Sequence, residues 1–186
     1  SDLDKWGLSS FALKIIAVVT MVTDHFAILF LDNHHTAYMA ARGIGRISFP
    51  IFAFLLVEGF FYTRDRVRHG IILGSFAIIS ELPYNMLYGS VLNLSHQNVI
   101  LTLFIGYMMI WALESISMYR VNYSENLLKK IGAGRMNTIL ELLVMLMGFT
   151  IGYFINCSYS YAGIMLILCF YVFRKYHIGR AVSNIV

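Results

Sequence analysis

Six apolar stretches, most of them close to the length that a helix needs to cross a bilayer, constrain this chain more than any other feature. They cover residues 9–31, 44–62, 70–88, 98–118, 138–155 and 161–173. Charged residues make up only 13% of the 186 residues, whereas soluble domains carry about 25%. The sequence therefore predicts an all-α, polytopic membrane protein with about six transmembrane helices, and it excludes a soluble globular domain.

The organisation of the chain is simple. No internal repeat, low-complexity tract or flexible linker interrupts it, so a single domain over residues 1–186 is predicted. The longest polar connection, residues 119–137, holds the segment ENLLKKI and then GAG, which predicts an amphipathic surface helix followed by a turn. The first apolar stretch is expected to stay in the mature protein, because polar residues rather than a small-residue cleavage site follow it.

Basic residues indicate which side of the membrane each loop faces. Of the 14 lysines and arginines, only Arg42 and Arg46 fall on the side opposite the rest. The positive-inside rule therefore places both termini in the cytoplasm. Because membrane topology accounts for the net charge of +4, the predicted partner is the lipid bilayer and no nucleic acid is expected. The oligomeric state is left open between a monomer and a homo-oligomer.

The run VVTMVTDHFAILF places Asp24 and His25 inside the first apolar stretch. A charged residue near the middle of a spanning helix costs roughly 2.5–3.5 kcal/mol on insertion, so it marks a functional group or a buried partner. A histidine can act as a general base near neutral pH, and a carboxylate can stabilise its charged form. Adjacent helical residues point about 100° apart, however, so Asp24 can equally orient another neighbour, and a structural ion pair is the alternative.

Most other polar residues of the apolar stretches lie toward the predicted outer side. Glu81 and Asn85 share one face of the third stretch, which a lipid-exposed helix would not tolerate. The outer group supplies four catalytic candidates, which are His25, Asp24, His96 and Glu81, and four substrate-binding candidates, which are Arg46, Gln97, Asn98 and Asn85. The alternative for residues 96–98 is a cap on the fourth helix.

A second polar group lies toward the predicted cytoplasmic side. Glu58 is near the inner end of the second stretch, close to the basic run RDRVRH that begins at Arg64. Phosphates of a cytoplasmic ligand would suit these arginines, although they can also serve topology alone. The cofactor-binding candidates are therefore Arg64, Arg66, Arg68 and Glu58. No metal site is predicted, because the adjacent His34 and His35 lack the spacing of a metal motif.

Two prolines and two glycines predict local helix features. Pro83 cannot donate to the carbonyl of residue 79, and Pro50 is expected to disrupt the helix in the same way at residue 46. Such breaks expose backbone groups that a pocket can use. Gly148 and Gly152 form a small-xxx-small pair, which predicts a close helix-packing face.

Several segments of the chain resemble the TraX family of bacterial membrane proteins. They are LKIIAVVTMVTDHF, GRISFPIFAFLLVEGFFYTR, ISELPYNML, HQNVILTLFIG and YSYAGIMLILCFYVFR, and they occur in family order over most of the chain. More distantly the chain resembles the transmembrane acyltransferases that include heparan-α-glucosaminide N-acetyltransferase. Family members often carry an acidic residue in a DYG-like segment, where this chain reads CSYSYAG and lacks a carboxylate.

The resemblance implies an acyl-CoA-dependent acetyltransferase in the bacterial cytoplasmic (inner) membrane. Cytoplasmic acetyl-CoA would be the acyl donor, with no metal, and an amine or hydroxyl on the outer side would accept the acetyl group. A pilin-like peptide amine and a cell-envelope sugar both suit this acceptor role. The resemblance leaves open whether His25 or His96 attacks the thioester or acts as the base.

Two other functions are alternatives to an enzyme. Intramembrane Asp, His, Glu and Arg also describe a small proton-coupled transporter, although no inverted repeat supports one. A non-enzymatic membrane protein for conjugation or pilus assembly would need no outer polar cluster. Transfer of labelled acetyl groups distinguishes an enzyme from both.

Overall fold

A computed structural model of the chain describes residues 9–31, 36–87, 98–119, 133–155 and 159–183, and all regular structure within these ranges is helical. This confirms the predicted all-α class. The helices are α1 (Ser10–Phe30), α2 (Thr36–Gly45), α3 (Ser48–Tyr62), α4 (Arg66–Leu87), α5 (Val99–Tyr119), α6 (Ala133–Phe154) and α7 (Ser160–Ser183).

Four segments among the described residues are long and apolar enough to cross a membrane, which indicates a membrane protein. They are Ser10–Phe30, Thr36–Tyr62, Val99–Met118 and Met136–Phe154. Helices α4 and α7 have 22 and 24 residues, but α4 begins with basic residues and the C-terminal part of α7 contains several. The count of six spans and the cytoplasmic placement of both termini therefore stay predictions.

The second predicted stretch differs from the structure at its start. Helix α2 ends at Gly45, Arg46 and Ile47 form a turn, and α3 begins at Ser48, whose hydroxyl donates to the Gly45 carbonyl at 2.7 Å. Pro50 therefore lies in the first turn of α3, where a backbone N–H has no intrahelical acceptor. The predicted interruption at residue 46 is confirmed, and it takes the form of a turn between two helices.

Other helices also extend beyond the apolar stretches. Helix α4 continues through Pro83 to its last residue, Leu87, and α6 begins at Ala133 inside the predicted turn. Backbone hydrogen bonding continues into polar sequence, whereas apolar composition marks only the part suited to lipid. The predicted surface helix at ENLLKKI lies outside the described residues.

The chain forms two compact units, Ser1–Phe61 and Tyr62–Val186. In the first unit α1 packs against α2. They approach so closely that a Cβ atom on Gly45 would collide with the Asp24 side chain. The single-domain prediction stays a prediction, and each unit has its own polar cluster.

Helix α5 is the centre of the second unit and packs against α4, α6 and α7. Its Tyr107 and Ile110 are fully buried, as are Ile164 and Ile167 of α7. Gly148 of α6 lies directly against Met109 of α5, and an added Cβ atom would overlap the methionine sulfur. The predicted packing role of Gly148 is confirmed, and this close approach joins α6 to the central helix.

Candidate functional site

In α1, hydrogen bonds within the helix satisfy most of the polar side chains. The Ser9 hydroxyl accepts from the Ala12 amide at 3.1 Å and so caps the helix. The hydroxyls of Thr20 and Thr23 each donate to the carbonyl four residues earlier at 2.9 Å. The threonines of this stripe therefore need no other partner, whereas Asp24 contacts a second helix.

Asp24 forms an ion pair with Arg42 of α2. One guanidinium nitrogen of Arg42 donates to Asp24 Oδ2 at 2.6 Å. The Asp24 side chain is only 20% exposed and the Arg42 side chain 32%. The other carboxylate oxygen, Oδ1, is buried and has no hydrogen-bond partner in the described part of the chain. The predicted alternative, a structural ion pair, is therefore the one that the geometry favours for Asp24.

From the sequence, Arg46 was predicted to bind substrate at the outer site, whereas Arg42 entered only the argument on membrane topology. In the structure Arg46 is exposed in the turn after α2, one helical turn beyond the ion pair. A simple signal points to Arg42, since Asp24 and Arg42 lie at similar distances from the α1–α2 connection. Equal distances from a tight connection bring residues of an antiparallel helix pair to the same level.

His25 makes a different contact from Asp24. Its Nδ1 lies 2.8 Å from the Met21 carbonyl oxygen in the preceding turn. A carbonyl only accepts, so Nδ1 carries the proton and Nε2 of the neutral ring holds the lone pair. The ring is half-buried, and Nε2 is its acceptor nitrogen in this tautomer. The expectation that Asp24 orients a neighbour rather than His25 is confirmed.

A second polar cluster joins α4 to the start of α5. The amide nitrogen of the Asn98 side chain donates to the Ala77 carbonyl at 2.9 Å and to the Ser80 hydroxyl at 3.0 Å. The Asn98 backbone N–H donates to Glu81 Oε2 at 3.1 Å. Asn98 Oδ1 accepts from the Leu101 amide at 2.8 Å, so the predicted cap on this helix is confirmed for Asn98.

Two acceptor atoms of the α4 face have no donor in the described part of the chain. They are Glu81 Oε1 and Asn85 Oδ1, and both are buried. Asn85 is only 3% exposed, and it lies one helical turn beyond Glu81. Buried acceptors without donors are costly, so these two atoms require N–H or O–H donors from outside the described residues. The two remaining candidates of this region, His96 and Gln97, lie outside the described residues.

The basic run lies at the start of α4, where two hydrogen bonds fix its backbone. Asp65 Oδ1 accepts from the Arg68 amide at 2.9 Å, and the buried Tyr107 donates to the Arg66 carbonyl at 2.9 Å. Arg64 and Arg68 are exposed, and Arg66 is half-buried. Burial lowers the pKa of His69, so the positive charge of this segment at neutral pH comes from its arginines.

The remaining cofactor-binding candidate is not in the same unit as the arginines. Glu58 is half-buried in α3 and belongs to the first unit, whereas Arg64, Arg66 and Arg68 belong to the second. His25 and Asp24 likewise belong to the first unit, and Glu81, Asn85 and Asn98 to the second. The structure therefore brings together Glu81 and Asn98 on neighbouring helices, and Asp24 with an arginine that was not a candidate.

Sequence reasoning missed a third polar cluster, between α5 and α7. Glu114 Oε2 accepts from the Tyr171 hydroxyl at 2.6 Å and from Lys175 Nζ at 3.0 Å. Lys175 also donates to the Tyr171 hydroxyl at 3.1 Å. A carboxylate in the apolar segment IWALESI was the available signal, because intramembrane carboxylates require partners. Its partner Lys175 could not be predicted from the sequence, since it lies 61 residues further along the chain.

The described residues contain no group of three or more His, Cys, Asp or Glu side chains that could hold a metal ion. Among the described residues, the polar groups that were predicted as site residues include the His25 ring, the acceptor atoms of α4 and the cationic side chains at its start. This set can exchange a proton, bind N–H or O–H donors and bind anions, respectively.

Comparison with known proteins gives the family. The family model described as TraX protein matches residues 9–186. The probable fimbrial assembly protein FimC, serogroup H1, of Dichelobacter nodosus is 39% identical over 77 residues, which are 41% of this chain and 32% of that protein. The chain thus spans about a third of the length of this curated relative. No solved structure matches the chain. Because the family model covers nearly the whole sequence, the chain belongs to the TraX family.

Proposed function

We propose that this chain is an acetyltransferase embedded in the bacterial cytoplasmic membrane. It moves an acetyl group from cytoplasmic acetyl-CoA to an amine or hydroxyl on the outer side. The observation that carries the proposal is the geometry of His25, a half-buried histidine in a candidate membrane span. The bond from its Nδ1 to the Met21 carbonyl leaves Nε2 as the basic nitrogen. Membership of the TraX family and its resemblance to transmembrane acyltransferases support the same conclusion.

The reaction needs one base and no redox partner. The acceptor nitrogen or oxygen attacks the thioester carbonyl carbon, a new C–N or C–O bond forms, and the C–S bond breaks. His25 Nε2 takes the proton of the attacking group and returns it to the departing CoA thiolate. The proton and the acetyl group are thereby both accounted for, and the histidine is neutral again at the end of the cycle.

The α4 face of the second unit is proposed to bind N–H or O–H groups of an acceptor molecule. Glu81 Oε1 and Asn85 Oδ1 are buried acceptors that lack donors in the described part of the chain. An amine or a hydroxyl supplies such donors, and binding it satisfies groups that are otherwise costly to bury. Asn98 fixes Glu81 through its backbone amide, so the free carboxylate oxygen keeps a defined position.

The basic segment at the start of α4 is the proposed site for the acetyl-CoA phosphates. The exposed Arg64 and Arg68 are suited to charge-assisted hydrogen bonds with phosphate oxygens. An acyl donor on one side and an acceptor site on the other require that only the acetyl group crosses.

One alternative function has specific support. The similar Dichelobacter nodosus protein is named as a probable fimbrial assembly protein, so a role in pilus assembly without catalysis is the second candidate. A pilus protein can also be the acceptor of an acetyl group, which would reconcile the two functions. A proton-coupled transporter has no observation of its own in its favour.

The decisive test is transfer from radiolabelled acetyl-CoA by the purified protein in lipid vesicles. The enzyme is expected to move label to a peptide amine or an amino sugar, and to release free CoA in equal amount. A transporter would leave the label on CoA, and a pure assembly protein would not bind acetyl-CoA. Vesicles without protein are the control, and absence of both transfer and binding would contradict the proposal.

Membrane topology can be tested by cysteine labelling in whole cells. With Cys157 and Cys169 replaced by serine, a new cysteine at Asn93 or Ser158 is expected to react with an impermeant maleimide from outside. One at Asp65 or Lys130 is expected to react only after permeabilisation, because the basic loops face the cytoplasm. The reverse pattern would place the acceptor cluster on the cytoplasmic side and remove the need for transfer across the membrane.

A further inference from the structure

Arg174 and Lys175 are neighbouring cations of α7 just beyond the last predicted apolar stretch, and Arg174 contacts an aromatic ring. Arg174 donates to the Tyr62 hydroxyl at 3.0 Å, and its guanidinium carbon lies 5.5 Å from the centre of the Tyr62 ring. The tyrosine is 74% exposed. An arginine in this geometry holds a flat, accessible ring at the surface of the second unit.

The second cation is fixed in place and still has a donor to offer. Lys175 uses two of its three N–H donors for Glu114 and the Tyr171 hydroxyl. The Lys175 side chain is 43% exposed, whereas the Glu114 side chain is 18% exposed. The carboxylate therefore lies beneath the ammonium group, and the third N–H is left for a ligand at the surface.

Arg66 of α4 is a third cation of the second unit. Gly74 of α4 lies against Phe104 of α5, and Gly70 lies against Tyr107 and Trp111, so Arg66, one helical turn before Gly70, lies toward the level of Glu114. The second unit therefore carries the cations Arg66, Arg174 and Lys175, and Arg174 contacts the exposed ring of Tyr62.

We propose that Arg174 and Lys175 extend the basic segment at the start of α4, and that together with Arg66 of that segment they bind phosphates of a nucleotide whose base stacks on the ring of Tyr62. Cations select phosphate, and an exposed ring selects a flat base, so the combination is suited to a nucleotide. The proposal rests on the proposed function in one respect, since the nucleotide is that of the acyl-CoA donor. Phosphate also occurs in lipid headgroups, and the experiment separates the two sources.

The experiment measures binding to the purified full chain in nanodiscs, so that it does not depend on catalysis. The probes are acetyl-CoA and acetyl-pantetheine, which lacks the nucleotide. Arg174→Gln and Lys175→Gln are each expected to weaken acetyl-CoA binding about tenfold, because each removes a charge-assisted hydrogen bond. Tyr62→Ala is expected to weaken it by a similar factor, whereas acetyl-pantetheine binding stays unchanged in all three variants.

Three further variants distinguish the loss of a specific phosphate contact from the loss of a remote charge or from misfolding. Lys14→Gln removes one exposed positive charge from α1 and is expected to leave binding unchanged. Lys175→Arg keeps the charge and is expected to restore most of the acetyl-CoA affinity, which a merely misfolded variant would not do. Glu114→Gln should let Lys175 move and reduce affinity less than Lys175→Gln does.

Other outcomes overturn the proposal in different ways. Unchanged acetyl-CoA affinity in all three variants would remove the nucleotide site. If these variants instead lose only a preference for phosphatidylglycerol over phosphatidylcholine nanodiscs, the phosphate belongs to a lipid headgroup. Acetyl transfer that persists at wild-type acetyl-CoA affinity in the variants would leave the proposed enzyme standing without this site. Nucleotide binding with the expected pattern but without acetyl transfer would contradict the proposed enzyme alone.

Discussion

Replacing His25 by alanine is expected to reduce acetyl transfer by about 10²-fold or more, because general bases contribute on the order of 10²–10⁴ to rate. Its Nδ1 bond to the Met21 carbonyl is local to α1, so the loss of the ring removes Nε2 and leaves the helix intact. Acetyl-CoA binding and thermal stability are expected to stay close to the wild-type values. The measurements are label transfer, acetyl-CoA binding and thermal unfolding on the same preparation.

Thr23 offers a matched control on the same helix. Its hydroxyl already bonds to the Val19 carbonyl at 2.9 Å, so Thr23→Ala is expected to keep full transfer activity. A structural role for His25 would instead lower stability, acetyl-CoA binding and transfer together. Full activity in the separate His25→Ala and His96→Ala proteins would exclude both histidines and leave Glu81 as the base.

Breaking the ion pair between Asp24 and Arg42 is expected to lower the stability of the folded protein. A direct effect on the rate of acetyl transfer is not the main expectation. Asp24→Asn or Arg42→Gln leaves its partner charge partly buried and unpaired. Removal of one member of a fully buried pair costs about 3–5 kcal/mol, and the partial exposure of both side chains lowers our expectation to about 1–3 kcal/mol. The measurement is the free energy of unfolding in detergent, from thermal or denaturant titration.

Further variants test whether an unpaired charge causes the loss of stability. The double variant Asp24→Asn, Arg42→Gln has no unpaired charge, so it is expected to be more stable than the less stable single variant. Gly45→Ala is expected to destabilise as well, since its Cβ atom would displace the Asp24 side chain. Arg46→Gln is the matched control, because Arg46 is exposed outside α2, and its stability is expected to be unchanged. Additive effects in the double variant would show that the two residues act separately.

The positions of most helices could be read from apolar length alone. The stretch predicted over residues 9–31 corresponds to α1 (Ser10–Phe30), and the one over residues 98–118 corresponds to α5 (Val99–Tyr119). In a bilayer every backbone N–H and C=O must find a partner within its own segment, so an apolar run of this length is helical. This constraint is local, which is why the class of protein and its main helices follow from the sequence.

Helix ends were harder to predict where the sequence changes from apolar to polar. The stretch predicted over residues 161–173 continues to Ser183 in α7, and α4 begins at Arg66 rather than at Gly70. Hydropathy describes the solvent that surrounds a helix, whereas its length follows backbone hydrogen bonds and caps such as Asp65. The two measures agree only where a helix ends at the membrane surface.

The sequence by itself determined that Asp24, His25 and Glu81 are polar groups in apolar segments and therefore need partners or a function. Only the tertiary structure decided which partner each has, namely Arg42 for Asp24 and Asn98 for Glu81. Likewise, Glu114 is joined to Lys175 across 61 residues by the packing of α5 against α7. Hydrophobic composition is read residue by residue, but a side-chain pair depends on the rotation and register of two packed helices. Those are set by close approaches such as Gly106 against Ile167, which many contacts determine together.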